Sequence, residues 1–301
     1  MNANVLQRHL SAVWRAGRAW LLFALCAAGG CQQNHSTGSG DLGTVSDLSG
    51  GLGDLKTVPD LMHPAGTVTL IRDINDGKVT SGSWVEVDGV VTAPYVLGSA
   101  VMLNQQCLYE LTIAQVSTSP TLHDGILLRA VETVASGDMM VSPADCQARA
   151  AGSVLGKVAM NDAVTVTAQF VTYGSLRYLL LTGGELRGKG PAASLPQPVP
   201  VSTSQLPSAT LGALTPAVFF DANAALVRFS LVTTTQRNNL NQSFKVSAAG
   251  VETRIGPAYL KLANAAYSPP ADGTSYATVT GVVGIDLAGI VSPRNLADLL
   301  P

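Results

Sequence analysis

Charge is scarce in this chain. Asp, Glu, Lys and Arg together make up 13% of its 301 residues, and aromatics only 5%. Low charge without any Lys/Arg cluster excludes the basic field that draws phosphate backbones. Aromatics that do not interleave with basic residues provide no row of stacking platforms for unpaired bases. Cysteine is limited to four residues, with no CxxC spacing, so no zinc array or redox motif is written. HExxH, His-x-His and GxSxG are also missing, and the serines have no credible histidine partner. These gaps argue against an enzyme, a bound cofactor and a metal centre.

What is present is Gly, Ala, Val, Thr, Ser and Pro in abundance. Many β-branched residues and turn formers with little charge favour an all-β, exported protein. The N-terminus agrees. Arg8, Arg15 and Arg18 precede an apolar stretch over residues 19–30, and no acid occurs before Asp41. That stretch falls well short of the ~20 residues needed to cross a bilayer. A basic start, a short apolar run and small residues before a cut site make a secretory signal. Ordinary cleavage near Ala28, an uncleaved anchor and a buried helix compete with a more specific reading. In it, Leu25-Cys26-Ala27-Ala28-Gly29-Gly30-Cys31 resembles a bacterial lipoprotein signal, with Ala28 where Leu or Val is usual. The resemblance implies lipidation at Cys31, a membrane partner through that lipid, and an outer-membrane location, which Gln32 after the cysteine favours. Removing residues 1–30 leaves 15 basic and 20 acidic groups, a net charge of −5.

Only Cys107 and Cys146 then remain, and in an oxidising compartment they most simply form one disulfide. Residues 31–65 hold Cys31 and a Gly/Ser/Thr/Asp-rich stretch that cannot build a core. Asp-Leu recurs there at Asp41-Leu42, Asp47-Leu48, Asp54-Leu55 and Asp60-Leu61, without the glycine and second acid of a calcium repeat. A flexible tether with a reach of ~30 Å is expected.

Folded sequence starts near Gly66. Val85 and Val87 alternate with Glu86 and Asp88, the period of a half-buried strand, and Gly89 marks a bulge or sharp coil. Strand-like runs follow at residues 99–103, 107–113, 125–131, 163–172 and 176–182, with a helix expected over 143–151. Four prolines between 192 and 207 make an extended connector. A second block has strand-like runs at 224–235, 242–249, 259–262 and 274–285, and a last short strand near Gly289. The predicted domains are thus residues 66–190 and 208–301, joined by 191–207. About five strands per block suits two tandem small OB-like β-barrels; two immunoglobulin-like β-sandwiches are the alternative.

The run Ile71-Arg72-Asp73-Ile74 through Gly82 to Val87-Asp88-Gly89-Val90-Val91-Thr92-Ala93 resembles OB-fold modules of secreted bacterial nucleases and lipoproteins. Gly281-Val282-Val283-Gly284 to Pro293-Arg294-Asn295-Leu296-Ala297-Asp298-Leu299 looks like the close of a second such module. The resemblance implies the fold and, through the nucleases, a rival role as a single-stranded nucleic-acid-binding accessory to an extracellular nuclease. An acidic mature chain disfavours nucleic acid as a partner. The function expected is therefore non-enzymatic: a binding or scaffold module in the envelope, with an unidentified envelope protein or polymer as partner. No ligand-binding residue stands out. Arg177 with Tyr178, and Tyr173 nearby, is the best basic–aromatic patch. His123 and Asp124 read as an exposed loop rather than an acid–base pair. Asp73, Asn75 and Asp76 read as a capped turn rather than a calcium loop.

Overall fold

The computed structural model describes residues 67–97, 106–133, 142–153, 155–173, 176–206, 222–284 and 290–301. The signal segment, Cys31, the tether with its Asp-Leu steps, and the strand expected at 99–103 lie outside the described residues.

Alternation builds the first barrel. On β1 (Trp84–Leu97), Val85 and Val87 enter the core while Glu86 and Asp88 face out. On β4 (Asp162–Tyr173), Val164, Val166, Ala168 and Phe170 do the same. With β2 (Gln106–Ala114), β3 (Gly125–Thr133) and β5 (Leu176–Pro191) they close in the order β1-β2-β3-β5-β4. All neighbours are antiparallel except β3 and β5. One long strand serves two neighbours: β1 pairs with β4 up to Val90 and with β2 from Val90 onward. Gly89 sits at that changeover. It stays in the ladder opposite Val164, and a Cβ there would lie 3.4 Å from the Ala114 carbonyl. The coil is therefore at Gly89, and the register shifts come later, around Ala93.

The second block repeats the circuit. β7 (Leu226–Asn238), β8 (Ser243–Ala248) and β9 (Val251–Ile255) form a meander, β9 pairs in parallel with β11 (Val291–Ser292), and β10 (Ser275–Val283) joins β11 to β7. The β10–β7 pairing closes the ring, with β6 (Val199–Pro200) and β12 (Leu299–Leu300) added beside β7 and β10. The molecule is all-β, with two tandem OB-like barrels. Each barrel is plugged by the chain that enters it. Val68 bridges in parallel to Glu86 before Ile71 and Ile74 enter the first core; β6 runs parallel to β7 before Val201 and Leu206 enter the second.

Two helices form where the sequence predicts none, one in place of the capped turn at residues 73–76 and one in place of the strand at 259–262. Ile71–Asn75 is a helix, α1, because Ile71 and Ile74 at i,i+3 are both fully buried; it stops at Asp76, and Gly77 follows at φ 77°. Ala258–Ala263, read as a strand at 259–262, is also a helix. Pro257 starts it, and Ala, Leu and Lys are good helix formers. The expected helix forms as α2 (Pro143–Gly152), with Ser142 and Asp145 in a reciprocal capping box; Ala258–Ala263 is therefore α3.

Cys107 on β2 and Cys146 on α2 form the disulfide, with Cα atoms 5.4 Å apart and both residues buried. It closes a loop across 39 positions, about 4 kcal/mol in the chain-entropy picture. Cys107→Ala with Cys146→Ala is expected to lower stability by about 2–4 kcal/mol in denaturant titration, and reductant is expected to do the same to the wild type but not to the variant.

Candidate functional site

OB barrels bind through the outer face of their second and third strands and the adjoining loops. In the first barrel, the end of β1 and the turn between β2 and β3, beside this region, carry the second barrel. Ala93 and Val96 of β1 pack with Leu226 of β7, Tyr259 of α3 and Val282 of β10. Leu122, in the turn before β3, packs against the second core. Gly125 follows immediately, and a Cβ there would collide with the Ala224 carbonyl. Both barrels belong to one compact unit.

A polar cluster holds this junction. Asp124, 5% exposed, accepts from Arg72 Nε and Nη2 (2.9 Å each), Gln115 Nε2 (2.7 Å) and the Thr121 amide (2.7 Å). Asn75, buried on α1, donates to the carbonyls of His123 (2.8 Å) and Gly125 (2.7 Å). The cluster pins α1 to the turn that enters the second barrel. Asp124 raises the affinity of the Arg72 guanidinium for its proton, chiefly through their hydrogen bond.

His123 and Asp124 diverge, as adjacent turn residues do. His123 Nδ1 lies 2.6 Å from Asp76 Oδ1, and this bond holds the Asp76 carboxyl below the usual range. Asp73 and Asp76 also hold Lys78, at 2.6 and 3.6 Å. Asn75 donates rather than accepts. Among the described residues, no group of three or more His, Cys, Asp or Glu gathers as metal ligands.

Beyond the junction, Glu110 on β2 lies opposite Arg129 on β3, with an ion pair at 2.8 Å. Arg129 also lies over the Tyr178 ring, 4.7 Å from its centroid. Tyr178 is thus engaged by a residue that sequence reasoning missed, because the parallel pairing of β3 with β5 is not visible along the chain. Arg177 and Tyr178 are successive on β5 and face opposite sides. Tyr173 lies half-exposed at the β4 end. The three do not form one row. Elsewhere on this barrel, Arg187 holds Glu86, Lys189 holds Asp88 and Arg149 holds Glu132.

The second barrel differs at the equivalent place. Lys245 on β8 faces Arg254 on β9, with Gln236 of β7 opposite Lys245. Like charges directly opposite are unfavourable on a sheet. Glu252 relieves the row by accepting from Lys245 (2.8 Å) and Thr235 (2.7 Å), which hold its carboxyl below the usual range.

Burial also acts on tyrosines. It pushes the Tyr109 phenol up to about 12, helped by the Glu132 charge, and raises those of Tyr267 and Tyr276. Neutral phenols are therefore favoured in the folded state.

No protein-family model matches the chain, and no curated protein matches it. Among solved structures, one described as "Structural mimicry for functional antagonism" is similar over 69% of this chain and 87% of its own. Identity is 9% and the TM-score 0.28.

Arg72→Met is expected to destabilise the protein by about 3 kcal/mol in urea titration, the low end for stranding one partner of a buried pair because Arg72 is 32% exposed; adding Asp124→Leu should recover part of the loss. For the tyrosines, stability is complete below the ordinary phenol range near 10 and is lost as pH rises toward about 12. Phenolate absorbance and near-UV circular dichroism are expected to change together over that interval.

Proposed function

We propose that this chain is a non-enzymatic lipoprotein of the bacterial envelope, anchored through Cys31 to the outer membrane, with its tandem barrels acting as a binding or scaffold module. The observation that carries the module reading is the first barrel's outer surface. Part of it packs against the second barrel, and six of its described cations, Arg72, Lys78, Arg129, Arg149, Arg187 and Lys189, each hold a carboxylate. An outer surface with its cations committed in this way favours rigid display over capture of a polyanion. The buried disulfide supports an oxidising compartment, and the run ending in Cys31 supports the anchor. A short tether and two locked barrels suit presentation of a surface to an envelope protein or polymer.

One observation favours the rival role of a single-stranded nucleic-acid-binding accessory: the Lys245–Arg254 row on the second barrel. Two cations without stacking aromatics beside them make a weak polyanion site. Palmitate labelling that depends on Cys31, and precursor accumulation under globomycin, are the expected results for the anchor; release of unlipidated wild-type protein overturns it. Loss of single-stranded DNA retention even at low salt is expected for the scaffold, while salt-dependent micromolar retention would shift the reading to the accessory role.

A further inference from the structure

We propose that the outer face of β8 and β9 on the second barrel binds a carboxylate-bearing polysaccharide, with Arg254 meeting the carboxylate. This rests on the binding-module reading and names the chemistry of its polymer partner.

Strand alternation sets the face. Phe244, Val246 and Ile255 enter the second core and Thr253 is fully buried, so Lys245, Ser247, Glu252 and Arg254 point outward. Lys245 lies directly opposite Arg254, and Gln236 of β7 lies on the other side of Lys245. Two cations placed opposite one another work against the sheet. Glu252 answers for only one of them: its carboxylate accepts from the Lys245 ammonium at 2.8 Å and the Thr235 hydroxyl at 2.7 Å. Arg254 is partly buried, yet among the described residues its guanidinium has neither a carboxylate nor another acceptor. A pairing rule broken without local gain is expected at functional sites. Here an anion from outside supplies the gain.

The hairpin tip joining β7 to β8 adds donors. Asn238 Oδ1 accepts from the amides of Leu240 (3.0 Å) and Asn241 (3.5 Å), while Asn241 Oδ1 accepts from the Ser243 amide (3.1 Å) and hydroxyl (2.7 Å). With these oxygens used inside the turn, both side chains keep their NH2 ends for an acceptor outside it.

Chemistry then selects the ligand. A guanidinium offers a planar fork that matches a carboxylate. The amide donors match hydroxyl and ring oxygens, and Glu252 has lone pairs left to accept from sugar hydroxyls. Glu252 also repels anions, so it suits a chain whose charges are separated by neutral, hydroxyl-bearing units. The outward positions of β8 and β9 hold no aromatic ring on which a base could stack, which disfavours nucleic acid.

The test is affinity electrophoresis of the full-length chain carrying Cys31→Ser through gels containing one of three polymers. These are hyaluronate, in which a carboxylated sugar alternates with a neutral one, uncharged dextran, and single-stranded DNA. Retardation by hyaluronate that added salt relieves is expected, with none by dextran. Arg254→Gln should weaken it by about tenfold, the scale of a charge-assisted hydrogen bond. Its thermal midpoint should hold or rise, because the like-charged pair is gone. Glu252→Gln, which removes the acid and frees Lys245, should strengthen retardation. No retardation by hyaluronate, equal retardation by dextran, or undiminished retardation of folded Arg254→Gln overturns the proposal and leaves the anchor and the module reading standing. Stronger retardation by single-stranded DNA overturns it together with the scaffold reading.

Discussion

The buried carboxylate of Asp124 is the constraint on which the arrangement of the two barrels depends. A carboxylate removed from water is tolerated only when its oxygens are fully used. Asp124 meets that condition with two bonds from Arg72, one from Gln115 and one from the Thr121 amide. Those donors come from α1, the end of β2 and the turn itself. Satisfying one charge therefore fixes three pieces of chain at once. The same turn delivers Leu122 to the second core and brings Gly125 against Ala224. A polar requirement inside the first barrel becomes the geometry of the junction.

The two barrels share a circuit but use their outer faces differently. At equivalent positions of the second and third strands, the first barrel has Glu110 opposite Arg129 and the second has Lys245 opposite Arg254. The first pair is self-neutralising and lies over Tyr178. The second requires Glu252 from the same pair of strands to offset it. Duplicated topology therefore does not duplicate chemistry, because side chains that face outward are free to change without disturbing the valine ladders that face in.

Those ladders were what the sequence made legible. Val85, Val87, Val164 and Val166 report their direction by alternation alone, and a single remaining pair of cysteines left one simple bridge. Gly89 announced a coil because a glycine within a strand pattern needs a backbone reason. Short segments were less readable. Tyr259 and Leu260 alternate no better as a strand than they turn as a helix, and Pro257 decides the matter only once the chain's path is known. Arg129 and Tyr178 were invisible as partners because a parallel pairing joins strands separated by α2 and all of β4. The Asp124 cluster was equally hidden, since Arg72 and Asp124 are 52 positions apart.

Low charge density sharpens what each ionic group can do. In a chain with so few charges, a carboxylate spent on an arginine leaves little for recognition, and the first barrel spends six of its described cations in this way. These surface pairs contribute only about 0–1 kcal/mol each to stability. Their larger effect is on specificity: they cancel the field that would otherwise gather anions. Recognition by charge must then rest on cations that the fold leaves uncommitted, and both Arg228 and Arg254 lie on the second barrel. The charge left without an acidic partner is therefore distributed unevenly between the two barrels, because the first pairs most of its described cations in place and the second leaves both of these arginines unpaired.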